Sequence, residues 1–261
     1  GLSTGPMPAF DRTLQIDFDF PDHVLWLRLG DGQFRQVVLK PVTVAEFYAE
    51  VMAAVHALGV DVRINEMPNE IADAVRFPDD TAHASYDGQA VGRFHRVLLS
   101  CNEVFAHFRT GFLGKASPVH FFWGSFDLAV TRFSGREAPP HPGGIPNLPD
   151  AVTREAYSHE VSSAGFWPGG AGGDGGPFFY SYAYPSPEGF AGAPVRPEAA
   201  RFDAALGEFL LDYEAVRAAP DGDAALLAFL ESTYAAAAEL GGWNRRALEC
   251  ALGEAGVPRA V

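Results

Sequence analysis

Ser117 to Arg136 reads SPVHFFWGSFDLAVTRFSGR, and its pattern decides the fold class. Apolar and polar residues alternate on both sides of Gly124-Ser125, the period of a strand with two different faces. Gly124-Ser125 suits a two-residue hairpin turn with glycine first. That turn pairs Trp123 with Phe126, Phe122 with Asp127 and His120 with Ala129. Directly paired residues share a face. Val119, Phe121, Trp123, Phe126, Leu128 and Val130 then form a core face. His120, Phe122, Asp127, Ala129 and Thr131 form the other.

His120 and Asp127 become diagonal neighbours on that second face. A carboxylate beside an imidazole raises the histidine pKa and fixes its tautomer, as a general base or a metal ligand requires. The plain structural alternative is a His–Asp hydrogen bond that steadies the sheet.

Similar strand patterns surround the hairpin. Tyr157 to Ser163 (YSHEVSS) and Phe178 to Tyr184 (FFYSYAY) read as strands. Period two puts His159 and Glu160 on opposite faces, so only one of them points into a given site. Tyr180, Tyr182 and Tyr184 share a face, and such a row offers apolar area with polar tips. Between these strands run a proline-rich stretch, 137–150, and a glycine-rich stretch, 165–176. Both read as irregular loops, the length at which loops carry function. His141 sits among Pro139, Pro140, Pro142 and Gly143 as a loop candidate. Arg132 and Arg136 can clamp a carboxylate or phosphate. Trp123, Trp167 and Tyr182 are expected walls.

Farther out, Leu14 to Phe20, Val24 to Leu29 and Phe34 to Leu39 read as an antiparallel meander with tight turns. Thr43 and Glu46 have capping-box spacing before an apolar helical stripe that Gly59 ends. Val62 to Asn65 reads as a short strand and 67–86 as a loop. Asp87 caps a long helix to about Phe112, Asp221 or Asp223 caps a helix near the C-terminus, and Asn244 is a candidate cap for a last short one. Strands in runs with helices elsewhere indicate α+β with mainly antiparallel sheet packed by helices. The expected organisation is one domain, 1–261: an N-terminal meander at 10–66, central sheet and loops at 115–190, and C-terminal helices at 212–252.

The 261 residues carry a formal charge of −14, which disfavours nucleic acid and anionic membranes as partners. The hairpin segment departs from that balance, with Asp127 as its only acid beside Arg132, Arg136 and the nearby Lys115. A small anionic ligand there fits the local charge. The longest apolar run, near Ala224 to Leu230, falls short of the roughly 20 residues of a membrane span. Cys101 and Cys250 are too few for a disulfide scaffold. With no basic-then-apolar leader, these features point to a soluble cytoplasmic chain. Phosphate-loop, Gly-x-Ser-x-Gly and zinc-spaced motifs are absent from the sequence.

The stretches HASYD (83–87), SPVHFFWGSFDLAVTRFSGR with APPHPGG, and SHEVSSAGFWPG with FYSYAYPSPEGF resemble an uncharacterised bacterial family, domain of unknown function 5996. The resemblance covers nearly the whole chain and implies no activity. It also implies a tryptophan- and histidine-containing segment ahead of Gly1.

Two functions follow as expectations. The first is a small-molecule enzyme with His120 as general base or metal ligand, Asp127 orienting it, and His159 or Glu160 as a second acid–base group. It predicts titratable groups converging in a pocket. The second is a non-catalytic binding or interaction domain with structural histidines. It predicts an exposed aromatic patch and acids satisfied pairwise. The cofactor is not specified by these residues.

Overall fold

Alternating apolar residues at the N-terminus build the first sheet. In the computed structural model, which describes residues 1–170 and 175–258, it has strands β1 (Leu2–Ser3), β2 (Met7–Ala9), β3 (Arg12–Asp19), β4 (Val24–Leu29) and β5 (Phe34–Val38). All pair antiparallel, in the order β1-β3-β4-β5 with β2 also on β3. The register opposes Leu14 to Leu29, Ile16 to Leu27 and Phe18 to Leu25, so one face is continuously apolar. Helix α1 (Val44–Ala57) packs Phe47, Val51 and Val55 into the same core as Leu25, Leu27 and Val37. Its Thr43–Glu46 capping box forms as expected. Gly59, at φ +74°, is the left-handed residue after the helix.

β1 and β2 are too short to show a period in sequence. The expected strand at 62–65 is irregular chain instead. Val62 packs against the core, but Arg63, Ile64 and Asn65 are exposed, so alternation there buries nothing. A 3₁₀ turn at Phe77–Asp79 interrupts the expected loop.

The backbone divides into two compact units, Gly1–Val97 and Leu98–Val261, and helix α2 (Gly88–Thr110) runs through the boundary. Asp87 caps α2 by accepting from the N–H groups of Gln89 and Ala90. Beyond the boundary Leu98, Cys101, Phe105 and Phe108 are buried at helical spacing.

The second unit is built on a six-stranded antiparallel sheet in the order β10-β11-β9-β8-β7-β6. Its strands are β6 (His120–Phe122), β7 (Asp127–Glu137), β8 (His159–Trp167), β9 (Phe178–Tyr184), β10 (Arg201–Asp203) and β11 (Glu208–Asp212). Its helices are α3 (Asp150–Ala156), α4 (Tyr213–Arg217), α5 (Gly222–Leu240) and α6 (Arg245–Leu248). The row Leu128–Phe166–Phe179–Leu211 runs across four strands on the helix-packed face. Phe105 of α2 and Phe229 and Leu230 of α5 are buried with it. The α+β architecture therefore stands.

The hairpin differs in its turn, not in its register. Phe122 opposes Asp127 and His120 opposes Ala129, as expected. The connection is a four-residue turn, however, with Phe126 at φ +63° and its N–H donating to the Phe122 carbonyl. That turn lifts the tip off the sheet. Trp123 and Phe126 are 44% and 49% exposed and do not join the core face.

The proline-rich stretch also holds more structure than its composition suggests. β7 extends to Glu137, and α3 occupies 150–156, with Thr153 buried beneath it. Tyr157 ends that helix, so β8 begins at His159. Residues 171–174 of the glycine-rich stretch lie outside the described residues.

Candidate functional site

The face opposite the helices is the chemically rich one. Its central row is His120, Ala129, Gly165, Tyr180 and Leu210, one from each of five neighbouring strands. Ala129 and Gly165 are the small members, and they leave a floor across which the Tyr180 ring lies. A Cβ on Gly165 would collide with the Tyr180 hydroxyl and Cζ and sit 2.6 Å from the Leu128 carbonyl oxygen. Glycine at 165 thus fits the close approach of the Tyr180 ring. The Tyr180 hydroxyl donates to Oδ2 of Asp127, a carboxylate that is only 5% exposed. A charge-assisted hydrogen bond of this kind stabilises the ionised acid.

Glu208 completes the group. It precedes Phe209, the partner of Ser181, so it lies on the tyrosine face beside Tyr182. Burial pushes its carboxyl up to about 7, and the nearby negative charges of Asp127 and Asp203 add to the shift. Among the described residues Glu208 has no hydrogen-bond partner that would hold it ionised. Of the two carboxyls on this face, Glu208 is the one whose acidity burial and neighbouring charge weaken, and a carboxyl raised in this way can serve as an acid–base group. Burial, then the charge of Asp127, also pushes the Tyr180 hydroxyl well up, so it stays protonated as a donor.

A second hydroxyl chain continues along the face. Tyr182 stacks on Tyr180 with centroids 6.1 Å apart and planes at 20°. Its hydroxyl is 2.7 Å from that of Tyr157 and also meets Ser163, whose Oγ is 2.8 Å from Oγ1 of Thr131. His141 stacks on Tyr157 at 4.8 Å, and its Nδ1 accepts from the Gly143 N–H. The proline-rich loop is thereby fixed over the tyrosine row rather than left as a free linker.

Several expected site residues are placed elsewhere. His120 shares the face with Asp127, but the Asp127 Oδ2 that was to orient it is taken by Tyr180. Burial lowers the His120 pKa, opposite to the expected rise, and its ring packs on Phe122 at 4.3 Å. His159 is paired with Glu137 at the far end of β7, eight residues beyond Ala129. At about 3.3 Å per residue that is roughly 25 Å from His120. The two histidines therefore share no site. His159 is exposed, and its ring Nδ1 lies 3.1 Å from the Ser158 hydroxyl. Arg136 donates from Nε and Nη2 to the one oxygen Oε2 of Glu160, at 2.9 and 2.7 Å, and also donates to the carbonyls of Gly241 and Gly242.

Arg132 is not available as an anion clamp, because period two turns it to the helix side. There it is 1% exposed, with its guanidinium 3.4 Å over Phe108 and 4.3 Å over Tyr234, and it lies 3.5 Å from Glu231. Trp167 packs on Phe178 and donates to the Ser125 carbonyl, which ties the far end of β8 to the hairpin turn. Trp123 is at the exposed tip. Burial pushes the Cys101 thiol up to about 12, which leaves it a small apolar filler. No cluster of three or more metal-ligating side chains occurs among the described residues.

Reading the sequence alone misses Glu208 and the role of Tyr180. Tyr180 was legible as a face residue of FFYSYAY. Glu208 gave no signal, because only the β9–β11 register brings it to the tyrosines.

The model of a family of unknown function, DUF5996, matches residues 1–250. No curated protein and no solved structure matches the chain. Among the described residues no helix is long and apolar enough to cross a membrane.

Proposed function

The chain belongs to the DUF5996 family, a family of unknown function, and from its geometry we propose a small-molecule enzyme that moves a proton on the tyrosine face of the second sheet. The observation that carries this reading is the raised Glu208 carboxyl on the face where Tyr180 donates to the buried Asp127. With its carboxyl near 7, Glu208 is present in both protonation states at neutral pH, which suits a general acid–base group. Asp127 holds a negative charge beside it and raises its basicity. Tyr180 holds Asp127 in place by donating to its Oδ2. His120, with its pKa lowered by burial, is a neutral imidazole on the same row. Tyr182 and the stacked His141–Tyr157 pair supply the walls.

A metabolite extract in D2O tests the reading without knowledge of the substrate. Wild-type protein is expected to give at least one compound that is converted or gains deuterium, detected by mass spectrometry. Glu208→Gln and Asp127→Asn are expected to abolish it. If wild-type protein changes no compound, the enzyme reading fails.

A second reading, a non-catalytic binding domain, is favoured by two observations. Asp127 and Glu160 each already have a protein partner. Phe122, Trp123 and Phe126 expose an aromatic hairpin tip, each between 44% and 49% exposed. Retention of an unchanged compound through dialysis, with no conversion, would select it. The continuity of α2 across residues 97 and 98 supports a single α+β domain. One calorimetric transition is expected, and two would contradict it.

A further inference from the structure

On the helix side of the same sheet lies a groove of about 480 Å³, between α5 and the segment after β9. That volume suits a small molecule. Two adjacent stripes of α5 form one wall, with Glu231 and Ala235 on one and Ala236 and Leu240 on the next. Pro194 and Arg196 form the other wall. The second wall is held in place at both ends. Phe190 is 1% exposed and anchors its start. Ser232 accepts from the Arg196 N–H at 2.9 Å and donates to the Arg196 carbonyl at 3.3 Å. The groove is thus preformed.

Its charged groups are the informative part. Glu239 and Arg245 line it as an ion pair. Arg196 and Glu231 also line it; these two form no ion pair with each other, and Arg196 has no carboxylate partner among the described residues. Glu231 buries Oε1 toward Arg132, yet 36% of its side chain stays exposed. Its second oxygen is therefore the one left to the groove. An open carboxylate oxygen and an open guanidinium flank an apolar wall of Ala235, Ala236 and Leu240.

We propose that this groove binds a small zwitterion with an apolar side chain, of the α-amino-acid class. Its ammonium goes to Glu231, its carboxylate to Arg196 and its side chain to the α5 wall. One ligand then satisfies both charges, and neither is left facing apolar surface alone.

Calorimetric titration with L-leucine, N-acetyl-leucine and leucine methyl ester tests each element. Leucine is expected to bind. The acetylated and esterified forms are expected to bind at least about tenfold more weakly, because each lacks one charge. Arg196→Ala, an exposed substitution that spares the fold, is expected to weaken leucine by a similar factor. Ala235→Trp is expected to abolish binding by filling the groove. Absence of leucine binding at about 10 mM overturns the proposal. Equal binding of all three ligands, or unchanged binding in Arg196→Ala, does so as well. Glu208 lies on the opposite face of the sheet, so its titration is independent of every one of these outcomes.

Discussion

Gly165→Ala is the substitution that most sharply probes the floor of the site. Gly165 does not have the left-handed φ of the turn glycines, so alanine carries no backbone penalty there. The cost is steric. The new methyl group meets the Tyr180 hydroxyl and Cζ on one side and the fixed Leu128 carbonyl, at 2.6 Å, on the other. The carbonyl belongs to the central sheet and cannot retreat, so the tyrosine ring must. Overpacking of this kind costs about 1–3 kcal/mol. Moving the ring also breaks the hydrogen bond to the buried Asp127 carboxylate, for about 1.5–3 kcal/mol more. The expected total is about 2.5–6 kcal/mol, which lowers Tm by roughly 5–25 °C in a chain of this size. Denaturant and thermal unfolding followed by circular dichroism measure it. Tyr180→Phe should cost only the hydrogen-bond part. Tyr180→Ala should make the Gly165→Ala cost smaller by at least about 1 kcal/mol, because the colliding ring is gone. A Gly165→Ala protein within about 0.5 kcal/mol of wild type, or strict additivity with Tyr180→Ala, would refute the packing described.

Arg132 offers a second contrast. Arg132→Ala should cost about 3–5 kcal/mol, since it opens a cavity among Phe108, Phe112 and Tyr234 and leaves Glu231 without its buried partner. Arg132→Met keeps the volume and should recover most of that loss when combined with Glu231→Gln, as urea titrations would show. The raised Glu208 carboxyl makes the folded state hold a proton that the unfolded state has released between its ordinary value of 4.5 and about 7. Stability should therefore fall as pH rises through that window, by up to about 3 kcal/mol, and Glu208→Gln should flatten this part of the pH profile. Cys101, with its thiol pushed up to about 12, should resist a thiol reagent in the folded protein at neutral pH and react only on unfolding. Rapid modification of Cys101 in native protein would contradict its burial.

How much of this was legible depended on whether the signal was local. The capping box of α1, the Asp87 and Asp221 caps and the β6–β7 register follow from residues within a few positions of one another, and all are present. α3 was hidden because prolines dominate the composition around it, while its own seven residues carry no long stripe. The hairpin turn went wrong because Gly-Ser permits a two-residue turn without enforcing one, and Phe126 takes the left-handed conformation instead. In the site, alternation placed His120, Asp127 and Tyr182 on faces correctly. It could not say how far along the sheet His159 would fall, since that depends on the β7–β8 register. Nor could it reveal that Arg132 faces aromatic rings, because the three rings come from α2, the residues just after it, and α5. Glu208 is the clearest case: a single glutamate on a short strand becomes significant only through strands that lie more than twenty residues away.

The proposed function requires Glu208 to exchange its proton near neutrality, buried beside Asp127. Carbon-detected NMR titration of 13C-labelled glutamate carboxyls, with the Glu208 signal assigned from its loss in Glu208→Gln, measures this directly. The expected midpoint is about 7, and it moves down in Asp127→Asn. A midpoint at the ordinary value of 4.5, unmoved by Asp127→Asn, would contradict it.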